Sequence, residues 1–385
     1  MSKTHDGKSA HTGGRRVGKY EFIDCVAEGG MASVWRGVMH GAAGFCRPVA
    51  IKRIKPDLLK SPEFVAMFVE EARVGSQLFH ANIAQVYDFE QDEHGAYFLV
   101  MEWVEGLDFR RYLQTYADLK QRAPWPLVVA VGIETARALS AAHERVDPSG
   151  RKVSVIHRDV TPQNILLGVN GLVKLTDFGL SRALDRAATT HPDIVKGKLA
   201  YLAPEVANLQ PASPQSDIFS LGVVLWEAFA GRRLYEGVTD VEVLLKVRQV
   251  EIPPLYRFRT DLPRDLVLAV EQALATRPED RFASARELLR ALAKVLRGIN
   301  QSTDSYAIAS SVIEARCILG TPPPNLFAPP PGAAGPPKAR TGKFPRPKTG
   351  RGLKPPPLPG SKSHPATKDL KPLSDEELAE LLDEE

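Results

Sequence analysis

The chain changes its hydrophobic period near Gly106, and this change constrains its architecture more than any other feature. From Tyr20 to about Leu59, short apolar runs rich in Val, Ile and Gly alternate with turn residues, the pattern of an antiparallel hairpin sheet. Phe64, Phe68 and Ala72 then recur at helical spacing within 64–78, and 83–89 and 96–103 read as further strands. Beyond Gly106, the segments 127–143, 216–231, 241–250, 262–275 and 284–296 read as helices. Strands first and helices second predict an α+β chain in two lobes. One lobe is small, with an antiparallel sheet and one helix; the other is larger and mainly helical.

Charge divides the chain in a second way. The formal net charge of +4 over 385 residues is the sum of unlike blocks. Residues 1–19 carry +4, 20–337 carry −2, 338–371 carry +9, and 372–385 carry −7. Of the 31 prolines, 16 lie between Pro322 and Pro372. Five segments are therefore expected: a basic flexible N-terminus (1–19), a folded body (20–298), a helical extension (299–320), a basic proline-rich disordered linker (321–372) and a short acidic helix (373–385). Within the body, 20–104 forms the first lobe and 105–298 the second. The extension rests on Ile308, Val312, Ala315 and Leu319 sharing a helical face, which is expected to pack on the second lobe. The acidic helix rests on Ser374 and Glu377 in capping-box spacing before Leu378, Leu381 and Leu382. The linker's composition cannot bury enough apolar surface to offset its ordering entropy.

These figures exclude several classes. No run of 18 apolar residues exists, so no membrane span is expected, and residues 1–19 lack the apolar core of a secretory signal. Cys25, Cys46 and Cys317 stand far apart, which argues against a disulfide framework or zinc site and fits a cytoplasmic location. The near-neutral body is not expected to bind nucleic acid.

The chemistry concentrates in ordered motifs. His157-Arg158-Asp159-Val160-Thr161-Pro162-Gln163-Asn164 is followed by Asp177-Phe178-Gly179 and then by Ala203-Pro204-Glu205. Upstream stand Val49-Ala50-Ile51-Lys52 and Ala27-Glu28-Gly29-Gly30-Met31-Ala32-Ser33-Val34. In this order the set resembles the eukaryotic-type protein kinases over roughly residues 20–297, and the form of the catalytic loop is similar to that of soluble myxobacterial Ser/Thr kinases. The resemblance implies a two-lobed kinase fold and transfer of the γ-phosphoryl group of ATP to Ser/Thr hydroxyls, with Mg²⁺, or Mn²⁺ in its place. It also implies roles for residues. Lys52 meets the α- and β-phosphates, held by Glu71 rather than by Glu70, which points about 100° away on the helix. Asp177 and Asn164 offer oxygens to the metal, and Asp159 orients or accepts the proton of the substrate hydroxyl. Residues 27–34 cover the phosphates. Ala50 lines the adenine pocket, Met101 is the gatekeeper, and the backbones of Glu102 and Val104 meet the adenine edge. Glu205 is expected to pair with Arg281, and Asp217 to cap the central helix and hold the catalytic loop.

Two departures matter. The phosphate loop has Ala27 and Ala32 where the family has glycine, and the added methyls narrow the backbone's options. The family's Ser/Thr-directed members carry Lys two residues after the catalytic Asp and Thr after the Gly ahead of Ala-Pro-Glu. Here those positions hold Thr161 and Lys198. The expectation is an exchange: Lys198 brings the ammonium from the opposite side, with Thr161 as its hydrogen-bond partner.

Arg158 beside Asp159 implies control by activation-loop autophosphorylation, with Ser181, Thr189 and Thr190 as the available hydroxyls and the two threonines favoured. The rival reading is a pseudokinase, an ATP-binding docking scaffold in a signalling complex. Retention of Lys52, Glu71, Asp159, Asn164 and Asp177 argues against it. Expected partners are protein substrates, together with a docking partner for the proline-rich linker, whose Pro356-Pro357-Leu358-Pro359 suits an aromatic groove, or for the acidic helix.

Overall fold

The computed structural model describes residues 15–147, 149–178 and 198–321. The first lobe is a six-stranded sheet in the order β1-β2-β3-β4-β6-β5. Its strands are β1 (Arg15–Val17), β2 (Tyr20–Glu28), β3 (Ala32–His40), β4 (Cys46–Ile54), β5 (Val86–Gln91) and β6 (Tyr97–Glu102). All pairings are antiparallel. One face of the sheet buries Tyr20, Phe22, Val49, Ile51, Phe98 and Val100, with Phe98 packed edge-on against both Tyr20 and Phe22. The other face takes helix α1 (Pro62–Gly75) through Phe68 and Ala72, which meet Leu99 and Met101. Burial of a side chain the size of Phe68 contributes roughly 2–3 kcal/mol, so this face sets where α1 lies.

The expectation of a flexible N-terminus through residue 19 needs correction. Arg15–Val17 already pairs with Tyr20–Phe22, and the turn is pinned by charge. Lys19 meets Asp88 at 2.9 Å, and Arg15 meets Asp92 at 3.3 Å. The strand joins an edge of the sheet, and its basic side chains answer acids of β5 and the turn after it.

The second lobe opens with a small sheet, β7 (Gly106–Asp108), β8 (Ile165–Gly168) and β9 (Val173–Leu175), in that order. Its longer helices among the described residues are α2 (Phe109–Asp118), α3 (Trp125–His143), α4 (Pro214–Ala230), α5 (Asp240–Gln249), α6 (Arg264–Ala273), α7 (Ala285–Leu296) and α8 (Ser305–Ile318). Nearly every residue of α4 and most of α3 are buried, so these two form the axis on which the lobe packs. Helix α2 and the small sheet were not read from the sequence. Helix α8 places Ile308, Val312 and Ala315 in the main core, and its Ser311 shares hydrogen bonds with Tyr112 and Tyr116 of α2 at 2.8 and 3.1 Å.

Two buried acids tie α4 and the segment before it to their surroundings. Glu205 accepts two hydrogen bonds from Arg281, both 2.8 Å, and a third from Ser216 at 2.7 Å. Asp217 does not cap α4, because the N-cap is Ser213. Its fully buried carboxylate instead accepts from the backbone N–H groups of His157 (2.8 Å) and Arg158 (2.7 Å) and pairs with His143 Nε2 (2.7 Å). The catalytic loop needs acceptors for those amides, and an acid one turn inside the helix supplies them.

Burial works to raise the Asp217 carboxyl, but the bond to His143, the nearby histidines and the backbone donor overcome it and hold the group below the usual carboxylate range. A depressed carboxyl contributes stability above its unfolded value of about 3.9, and that stability is lost as pH falls through the folded value. Asp217→Asn is therefore expected to lose about 3 kcal/mol at neutral pH and to decline less steeply below about pH 4. Urea unfolding across pH measures both, and parallel curves for the two proteins would contradict the assignment.

Candidate active site

Lys52 lies on β4, opposite Val34 of β3 and Leu99 of β6, and only 5% of it is exposed. Its ammonium donates to Glu71 Oε1 of α1 at 2.6 Å and meets Asp177 Oδ1 of the second lobe at 3.0 Å. Glu70, the alternative partner, faces outward and pairs with Arg73 at 2.9 Å. One ammonium thus serves two carboxylates in a buried site. Burial opposes the charge on Lys52, yet Asp177 and Glu71 outweigh it and raise the ammonium above its ordinary value. Burial pushes Glu71 up to about 7 against the pull of Lys52, with the charge of Asp177 adding to the rise. Asp177 goes the other way, because Lys52 overcomes the cost of its burial. Like charges sharing one cation separate in this manner. Glu71 Oε2 is buried without a hydrogen-bond partner.

Asp159 is 4% exposed, and its Oδ2 accepts from Asn164 Nδ2 at 2.9 Å and from Lys198 Nζ at 2.6 Å. The same Asn164 amide also donates to the Asp159 carbonyl at 2.8 Å, which fixes the side chain and leaves its Oδ1 as an acceptor. His157 accepts the Asp159 N–H at Nδ1 (3.2 Å) and donates from Nε2 to the Thr176 carbonyl (2.9 Å), so it bridges the two motifs. Burial depresses its pKa, in keeping with a neutral ring, and that ring stands edge-on to Phe178 at 4.4 Å. Arg158 and Asp177 both take left-handed backbone angles, each with φ +66°. That conformation costs a non-glycine residue of order 1 kcal/mol and persists where surrounding contacts over-determine it.

Lys198 stands immediately before the helical turn Leu199–Tyr201, with 36% of its side chain exposed. Its ammonium reaches Asp159 from outside the catalytic loop. Among the described residues no hydrogen bond joins it to Thr161, so the expected partnership is not formed. A carboxylate is the stronger acceptor and takes the ammonium. Thr161 is buried at the start of the turn Pro162–Asn164, where its carbonyl accepts the Asn164 N–H at 3.1 Å.

The phosphate loop is a tight turn between β2 and β3, with the Gly29 N–H donating to the Ala32 carbonyl at 2.9 Å. A β-carbon on Gly29 would stand 3.3 Å from that carbonyl, a tight contact that a small shift of the turn would relieve. Glu28 pairs with Ser33 and Ala27 with Val34, while Gly30 and Met31 complete the turn. Behind this loop Ala50 pairs with Met101 across β4 and β6. The Glu102 N–H donates to the Gln85 carbonyl at 2.8 Å. Val104 follows outside any strand.

Three contacts around this crossing were not legible in the sequence. The Glu102 carboxylate pairs with Lys174 of β9 at 2.8 Å. Trp103 Nε1 donates to Glu105 at 2.8 Å, and Glu105 also pairs with Arg316 of α8. These partners lie up to 211 residues apart, and no local pattern connects them.

Two lobes joined at this crossing hold a buried lysine shared by two acids and, in the second lobe, a buried carboxylate fixed by an amide and an ammonium, the constellation of a kinase-like fold. A family model described as protein tyrosine and serine/threonine kinase matches residues 20–292, and the chain belongs to the protein kinase family. It is similar to the tyrosine-protein kinase MasK of Myxococcus xanthus, 39% identical over 71% of this chain and 42% of that protein. It is also similar to the serine/threonine-protein kinases PrkC of Bacillus subtilis (32% identical, 71% and 40%) and PknA of Mycobacterium tuberculosis (34% identical, 81% and 66%). The chain spans about two fifths of the length of the first two. The solved kinase domain of Mycobacterium tuberculosis PknI aligns with TM-score 0.55 at 27% identity, covering 73% of this chain and 98% of that one.

The Arg316 contact makes a prediction. Arg316→Ala frees Glu105 and loosens the segment that follows β6. The KM for ATP should rise about three- to tenfold with kcat within about twofold, since the loosened segment carries the backbones expected to meet adenine and the pair makes no contact with Lys52 or Asp159. Steady-state kinetics against ATP decides it, and an unchanged KM would contradict the role.

Proposed function

We propose that this chain transfers the γ-phosphoryl group of ATP to Ser or Thr hydroxyls of protein substrates. The observation that carries the reading is the Asp159 carboxylate, buried and held by Asn164 and Lys198 at 2.9 and 2.6 Å. Its orientation is over-determined, which suits a group that must align a hydroxyl for in-line attack. In this reading Asp159 orients the hydroxyl and takes up its proton. Lys198 supplies the cation beside that carboxylate which other members place in the catalytic loop, while Thr161 only packs. Lys52 engages the nucleotide phosphates, with Glu71 holding it. The turn 27–34 covers those phosphates, Ala50 and Met101 bound the base, and Glu102 and Val104 meet its edge through their backbones.

The residues present fit a divalent metal. Two carboxylates face one ammonium, an excess of negative charge that accepts a cation, and Asn164 Oδ1 and Asp177 are hard oxygen donors. Among the described residues no group of three His, Cys, Asp or Glu could form a metal cage. A two-residue set suits Mg²⁺, which binds through one or two carboxylates plus phosphate oxygens and water. When bound there, the ion neutralises charge on the phosphates.

Ser181, Thr189 and Thr190 lie outside the described residues, as do the proline-rich linker and the acidic terminus. Autophosphorylation of the threonines stays part of this reading from the sequence. No helix among the described residues is long and apolar enough to cross a membrane. A cytoplasmic location is proposed on the cysteine pattern.

Two variants test the assignment. Asp159→Asn should abolish Mg-dependent transfer of radiolabel from ATP to itself and to a generic substrate. Lys198→Ala should lower kcat by about 10²-fold, the usual scale for removing a preorganised charge contact at a reacting centre. Phosphoamino-acid analysis should find phosphoserine and phosphothreonine. Label on tyrosine alone would overturn the substrate class, and equal labelling by wild type and Asp159→Asn would support the scaffold reading.

A further inference from the structure

Beside the catalytic loop lies a cleft that the chemistry above leaves unused. It has a volume of about 190 Å³ and opens to solvent between α2 and the C-terminal end of α4. Pro162, three residues after Asp159, forms part of its wall, and so does Tyr201, whose N–H donates to the Lys198 carbonyl at 3.0 Å. The cleft therefore begins on both segments that flank the catalytic carboxylate. Four guanidinium groups line it, from Arg110, Arg122, Arg232 and Arg233.

The only lining acid is Glu227, and its capacity is spent. Only 7% of it is exposed, Oε1 accepts the Leu234 N–H at 3.0 Å, and Oε2 accepts the Tyr201 hydroxyl at 2.7 Å. Arg232 is paired with Glu236 at 3.2 Å, on the surface. Among the described residues Arg110, Arg122 and Arg233 form no ion pair with a carboxylate, and Arg233 lies over the Tyr201 ring at 5.8 Å. Arg122 is seated by a glycine. Gly231 ends α4 at φ +66°, and a β-carbon there would stand 2.1 Å from Arg122 Nη1. The guanidinium rests against the bare backbone at a helix C-terminus, where a cation is favoured.

We infer that this cleft binds anionic side chains of the substrate peptide next to its phosphoacceptor, so the enzyme selects acidic peptides. The inference rests on the phosphoryl-transfer reading and adds the substrate class to it. Guanidinium groups match carboxylate and phosphate geometry, and a cleft lined by four of them, three without a carboxylate partner among the described residues, and by one committed acid repels basic peptides.

The test uses the full chain and four synthetic peptides that share one serine acceptor, with glutamate, phosphoserine, neutral or arginine flanks. The glutamate peptide should exceed the neutral one about tenfold in kcat/KM, and the arginine peptide should fall below it. The order of the glutamate and phosphoserine peptides tells whether carboxylate or phosphate is the better anion. Because the groups are exposed, the preference should shrink at high salt. The double variant Arg110→Glu with Arg122→Glu should reverse the order, favouring the arginine peptide. Both positions are exposed, and thermal unfolding checks that the fold persists. Equal use of all four peptides, a preference for arginine, or an order unchanged in the double variant would overturn the inference. If wild type labels no peptide above the Asp159→Asn control, the phosphoryl-transfer reading itself falls, and this inference with it.

Discussion

The buried contact of Lys52 with Glu71 and Asp177 is the constraint on which the arrangement turns. It joins three elements: a strand of the sheet, the helix laid on it, and the start of a segment in the other lobe. Neither acid could be buried alone, because an uncompensated carboxylate in such a site is costly. The ammonium therefore holds α1 against β4 and draws Asp177 under the sheet in one step. It also leaves an imbalance of two carboxylates to one cation, expressed in the opposite displacement of their acidities.

The other half of the site is held from below. Asp217, at the heart of the second lobe, gathers the backbone of His157 and Arg158, and His157 in turn ties the catalytic loop to Thr176. This leaves Asp159 rigid, with one oxygen shared by an amide and an ammonium. The ammonium comes from Lys198, beyond the loop, and Thr161 is tucked into the turn. The lysine thereby sets a positive group 2.6 Å from Asp159 Oδ2.

Much of this was legible in the sequence, for a clear reason. Lys52, Asp159, Asn164 and Asp177 sit in short segments whose residue types are dictated by the chemistry, so their order and spacing survive as a pattern. The helix period was also clear where one face is buried, as in α6, with Leu266, Ala269, Val270 and Ala273 inward, and α7, with Ala285, Leu288 and Leu292 inward. The misses have a common cause as well. Helix α2 is only ten residues long and carries adjacent arginines, so the helical spacing of Phe109, Tyr112, Leu113 and Tyr116 is a short signal, easily passed over. The Arg316–Glu105 pair and the arginine cleft draw on residues far apart in the chain, and the fold alone brings them together. Thr161 was given a partner by analogy. The structure assigns that partner to Asp159, the stronger acceptor within reach.

The central claim is that Lys198 does for Asp159 what a lysine inside the catalytic loop would do. Exchange is the most direct test. Lys198→Thr should lower kcat by about 10²-fold, and adding Thr161→Lys in the same chain should restore most of it, because the charge returns to the same point from the other side. A double variant as inactive as Lys198→Thr alone, or a single variant close to wild type, would contradict the account.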